Sequence, residues 1–147
     1  MQVAQGNLAA ALTSYQASFA IRERLAKADP GNARWQLDLS DSQEKIGDVE
    51  RAQGNLAAAL TSYQASLAIR ERLAKADPSN AGWQRGLALS YGRVGLIEMR
   101  QGVRDDALKA FQQGRDIIVQ LLLRSPANPT LPKDLAWFDS QLGSLNK

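Results

Sequence analysis

Residues 52–84 read A-Q-G-N-L-A-A-A-L-T-S-Y-Q-A-S-L-A-I-R-E-R-L-A-K-A-D-P-S-N-A-G-W-Q, and residues 4–36 carry the same run with three changes. These are Phe19 for Leu67, Gly31 for Ser79 and Arg34 for Gly82, so the period is 48 residues. A diverged third copy keeps the register: Gly6, Gly54 and Gly102 align, as do Ala11, Ala59 and Ala107, then Tyr15, Tyr63 and Phe111, then Pro30, Pro78 and Pro126. No insertion breaks the register through Gly47, Gly95 and Gly143. Self-similarity at such a period marks stacked supersecondary units, each too small to bury its own apolar faces. Near-identity of two copies fits recent duplication and deliberate construction alike.

Within one period the signals alternate between helix and punctuation. Asn55 caps a helix whose apolar positions Leu56, Ala59, Leu60, Tyr63, Leu67, Ile69 and Leu73 keep helical spacing, and Asp77-Pro78 stops it. Asn80 caps the next helix, which passes Trp83, Leu87, Tyr91, Val94 and Ile97 and ends at Gly102 as a left-handed residue. The same reading predicts helices over 7–28, 33–53, 55–76, 81–101, 104–124 and 130–145, and no strands. Gly47, Gly95 and Gly143 fall mid-helix, at a cost of about 1 kcal/mol each against Ala, which makes sense where a neighbouring helix needs the space.

Composition narrows the chemistry. The 147 residues contain no Cys and no His, which removes thiol nucleophiles, imidazole bases and the usual zinc and haem ligands. Ser, Tyr, Lys and carboxylates occur, but no Ser-x-x-Lys, nucleophile elbow or phosphate-binding loop does, so the chain reads as non-catalytic, without cofactor or metal. A net charge of +3 is a weak pointer to nucleic acid, because Glu23 and Glu71 dilute the basic R-E-R-L-A-K stretches. The run Ile117 to Leu123 is far shorter than the roughly 20 apolar residues of a membrane span. With no secretory signal at the start, the expected location is the cytoplasm.

At these residues the chain resembles the tetratricopeptide repeat family. Tyr91-x-x-Val94-Gly95 followed by Ala107-x-x-x-Phe111 matches the family pattern, and Ile46-Gly47 followed by Ala59-x-x-x-Tyr63 matches again. Glu50 and Glu98 replace an expected Tyr, and the distance from aromatic to Pro is longer than usual. Each helix gains about two turns over the usual repeat of about 34 residues, a long-helix form that looks like arrays in bacterial multidomain proteins. The resemblance implies an all-α solenoid of antiparallel helix pairs, about six helices wound into a right-handed superhelix. One repeat domain would span 1–147, with units at about 1–32 (partial), 33–80, 81–128 and a terminal helix at 129–147. The first helix of each pair (A-type) would line the inner wall, and the second (B-type) would pack between A-type helices.

Family members hold peptides on the inner wall. The corresponding positions here are Asp41, Glu44 and Asp48 on the first A-type helix, Leu89, Arg93, Leu96, Met99 and Arg100 on the second, and Trp137 on the last. The resemblance thus implies a protein-interaction scaffold whose groove is acidic at its start and apolar in its middle. Such a groove suits a peptide or amphipathic helix with a basic segment. The plainer reading of the acidic stripe is that it is solvated or paired with cations such as Arg93. The Lys and Asn needed to clamp an acidic C-terminus are missing, with Glu44 and Asp48 in their place. A divalent cation on Asp41, Glu44 and Asp48 is disfavoured because carboxylates along one straight helix seldom converge on one ion. Trp35 and Trp83 read as core anchors, and Trp137 as the exposed aromatic contact.

The array begins on a B-type helix with only Met1 to Gln5 before it. Its flank therefore calls for a preceding helix, from a longer array or from another copy. Self-association through the repeat ends is the alternative function.

Overall fold

The computed structural model describes residues 2–146, and side chains from Gly6 onward; the side chains of Met1 to Gln5 lie outside the described residues. Six helices follow one another: α1 (Gln2–Ala28), α2 (Ala33–Ala52), α3 (Leu56–Ala76), α4 (Ala81–Gln101), α5 (Arg104–Arg124) and α6 (Leu131–Leu145). The architecture is all-α, built from successive helix pairs.

The punctuation works as its chemistry dictates. The side-chain oxygen of Asn32 accepts from the Trp35 N–H at 3.1 Å, and that of Asn80 accepts from the Trp83 N–H at 3.0 Å, each satisfying a first-turn donor. Gly54 (φ 79°) and Gly102 (φ 81°) occupy the left-handed region. After each glycine the next N–H reaches back to a carbonyl: Asn55 to Glu50 and Val103 to Glu98, both at 2.9 Å. The two helix ends repeat at the 48-residue period.

One boundary differs. The sequence predicts a start near residue 7, yet α1 begins at Gln2 and runs through Gly6. Ala4 to Asn7 and Ala52 to Asn55 are the same tetrapeptide. At Gly54 it follows α2 and must reverse the chain, which requires a positive φ. At Gly6 no such reversal occurs, and the backbone stays helical.

Two compact units divide the described residues, with the boundary inside α3 between Ile69 and Arg70. In the first, α2 packs between α1 and the first part of α3, burying Ala26, Ile46, Val49, Ala59 and Tyr63. In the second, Ala88, Ala107, Phe111, Ile118, Leu121, Leu131 and Phe138 form one apolar cluster shared by α4, α5 and α6. Among the described residues no helix is long and apolar enough to cross a membrane.

Candidate functional site

The A-type helices α2, α4 and α6 carry every residue singled out from the sequence, so their packing decides which side chains remain available. In the first unit, α3 lies against α2 through a glycine and three hydroxyls. A Cβ placed on Gly47 would stand 2.7 Å from Tyr63 Cε1, so the ring rests on bare backbone. Around it, Ser62 Oγ donates to Glu50 Oε1 at 2.6 Å, Ser66 Oγ donates to Glu44 Oε1 at 3.0 Å, and the Tyr63 hydroxyl donates to Asp48. Glu44 is buried and Asp48 half-buried, with Arg51 3.9 Å from Asp48. Both carboxylates therefore help hold the helix pair together. Asp41 is half-buried.

On its other side α2 is held to α1 by long polar side chains reaching backbone. The Arg22 guanidinium donates to the Asp38 carbonyl at 3.0 Å and to Ser42 Oγ at 2.8 Å. The Gln36 amide donates to the carbonyl of Ala26 at 3.3 Å. Its period-mate Gln84 does the same to Ala74 at 3.1 Å in the second unit. There the Tyr91 hydroxyl donates to Glu71 Oε1 at 2.6 Å. Burial, reinforced by that carboxylate, pushes the phenol up to about 12.

The second unit repeats the joint with different chemistry. Phe111 replaces Tyr63 and lies on Gly95, where a Cβ would be 2.7 Å from its ring. Ser62 becomes Ala110 and Ser66 becomes Gly114, while Glu44 and Asp48 become Gly92 and Leu96. Polar donors and acceptors have been lost together. Aromatic rings from α6 fill the space: a Cβ on Gly92 would be 2.9 Å from Trp137, and one on Gly114 would be 2.5 Å from Phe138. Trp137 meets Phe111 edge-on with ring centres 5.8 Å apart, and Phe138 at 5.0 Å. The tryptophan read from sequence as an exposed contact is thus half-buried, one flank spent on the core. Glu98 keeps the position of Glu50, but Ala110 takes the position of Ser62, the hydroxyl that donates to Glu50. Burial, with Asp106 adding repulsion, raises its carboxyl above the ordinary range.

Leu89, Leu96 and Met99 are half-buried, the last two packed on the apolar cluster. Arg93 is half-buried and Arg100 is exposed. Of the mid-helix glycines, Gly47 and Gly95 make the close approach their position predicts. Gly143 does not, because nothing lies within 4 Å of a Cβ built on it: α6 has a neighbour on its α5 side and open space where Gly47 and Gly95 receive a ring. Trp35 and Trp83 are half-buried at their helix starts. No group of three metal-ligating side chains gathers among the described residues. A cleft of about 270 Å³ lined by Pro78, Gln84, Asp116, Ile117, Gln120 and Arg124 contains none of the inner-wall residues singled out from sequence.

The sequence signal for the polar joint lies in paired changes: in the next copy Ser62, Tyr63 and Ser66 lose their hydroxyls while Glu44 and Asp48 lose their carboxylates. A model of the tetratricopeptide repeat family matches residues 40–79, the stretch from Ser40 through α2, the Gly54 turn and α3. This supports a family of that type for the helix-pair architecture. No curated protein matches the chain.

Proposed function

We propose that the chain is a non-catalytic protein-interaction scaffold, with a peptide or helix held on the exposed parts of its A-type helices. The observation that carries this reading is the contrast between frame and surface. The Gly47–Tyr63 and Gly95–Phe111 joints keep one geometry, while the partly or fully exposed α2 positions Asp41, Arg51 and Ala52 become Leu89, Met99 and Arg100 on α4. A frame that holds its joints and changes its faces suits recognition, which needs rigid helices with varied surface chemistry. Tetratricopeptide repeats generally mediate protein–protein contacts, which agrees with this reading.

In the second unit, the outer parts of Leu89, Leu96, Met99 and Trp137, with Arg93 and Arg100 beside them, offer the apolar strip that an amphipathic segment requires. In the first unit, Asp41, Asp48 and buried Glu44 give this face an acidic field that suits a basic segment.

The test begins with a partner captured from the native host and purified, then titrated calorimetrically against variants. Leu89→Asp and Arg100→Glu should each weaken binding about tenfold or more, the cost of spoiling a central contact. Lys109→Glu, on exposed α5 surface, should leave it unchanged. Unaltered affinity for the first two variants, with loss for the third, would move the site away from the A-type helices.

A further inference from the structure

Helices α1 and α3 are the same helix in two settings. Over residues 4–28 and 52–76 they differ only at Phe19 and Leu67, yet their burial diverges along one stripe. On α3, Ala59, Tyr63 and Ser66 are 0%, 1% and 0% exposed and Ile69 is 6% exposed. On α1, Tyr15 and Ser18 are half-exposed, and Ile21 and Leu25 are 56% and 40% exposed. Lys45 Nζ sits 5.9 Å from the centre of the Tyr15 ring and does not seal it. The surface that α2 covers on α3 is therefore open on α1.

The complementary surface is open at the other end of the chain. Gly143 stands one period after Gly95 and two after Gly47, each of which receives an aromatic ring. Around Gly143 there is open space, and Ala136, Ser140 and Ser144, the period-mates of Ser40, Glu44 and Asp48 on α2, are all exposed. The hydroxyls of Ser140 and Ser144 take the positions from which α2 accepts the hydrogen bonds of Ser66 and Tyr63, so Tyr15 and Ser18 would again meet oxygen acceptors.

We propose that α1 of one copy docks on α6 of a second copy, Tyr15 seating on Gly143 as Tyr63 seats on Gly47. The occupant is a second copy because both halves of the joint lie on this chain, in the register that its internal joints already use. The joint is heterologous, so each pairing leaves one further Tyr15 face and one further Gly143 face available. It lacks the covalent turn that links α2 to α3 and replaces carboxylates with hydroxyls, so it is weaker than the internal joint.

Sedimentation and light scattering over a concentration series test this. The wild-type chain should rise above its 16.0 kDa monomer mass as concentration increases. Tyr15→Glu spoils one half of the joint and Gly143→Leu the other, and each should weaken self-association about tenfold or more. Mixed together they should form a one-to-one heterodimer, since the Leu variant keeps its Tyr15 face and the Glu variant keeps its Gly143 face. Far-UV circular dichroism checks the fold, and Ser18→Arg replaces Tyr15→Glu if the latter loses helix. A wild-type chain that stays at 16.0 kDa throughout, variants that associate like wild type, or single variants that fail to pair when mixed would each overturn the proposal.

Discussion

The ring of Tyr63 lies so close to Gly47 that a methyl group there would stand 2.7 Å from its Cε1 atom. One period later Phe111 and Gly95 show the same relationship at the same distance. A glycine in mid-helix forfeits about 1 kcal/mol against alanine, and the close approach of the ring offsets it.

Alanine scanning of the period-related glycines should therefore split. Gly47→Ala and Gly95→Ala gain helix propensity but crowd a buried ring, at a cost of about 1–3 kcal/mol. Both should lower stability in urea titrations. Gly143→Ala meets nothing within 4 Å and should raise it by up to about 1 kcal/mol. Stabilisation at all three positions would contradict the packing described.

Hydroxyl donors on α3 hold the carboxylates of α2. Ser66→Ala removes a donor to the buried Glu44 and should cost about 1–3 kcal/mol. Ser14→Ala, one period before Ser62 and exposed on α1, should cost less than about 0.5 kcal/mol. Equal effects, measured by chemical denaturation, would mean that the α2–α3 hydrogen bonds contribute nothing beyond solvent exposure.

Glu98 gives the joint a pH dependence. Burial raises its folded carboxyl above the unfolded value, so the folded chain holds a proton that the unfolded chain has released. Stability from this residue is present below the ordinary glutamate range of about 4.3 and is lost as pH rises through the raised value. Glu98→Gln should accordingly raise stability at neutral pH, with the gain shrinking as pH falls through the raised value and gone below about 4. Ala110→Ser, which supplies the hydroxyl that Ser62 gives to Glu50, should lower the Glu98 value, followed by carboxyl NMR titration.

Helix boundaries were legible because their punctuation is local: Asn32 and Asn80 accept from the third residue on, and Gly102 takes a left-handed turn that a side chain would strain. Gly6 departs from the expected boundary because the tetrapeptide around it is identical to a true turn, and only the reversal after α2 distinguishes the two. The surface was less legible. Helical spacing put Glu44, Asp48 and Trp137 on the A-type helices, but not which neighbour each would touch. Glu44 and Asp48 meet hydroxyls of α3, and Trp137 fills the space above Gly92. Those contacts depend on what the facing helix carries at one offset within the period, and pairing two positions that change together between copies is the reading that would have found them.

The claim that the A-type helices form the recognition surface is tested most directly by site-specific photocrosslinking in the native host. A photoreactive residue at position 89 or 100 should yield discrete adducts with a partner, and one at position 109 or 113 on the exposed side of α5 should not. Adducts confined to 109 or 113, with none at 89 or 100, would contradict it.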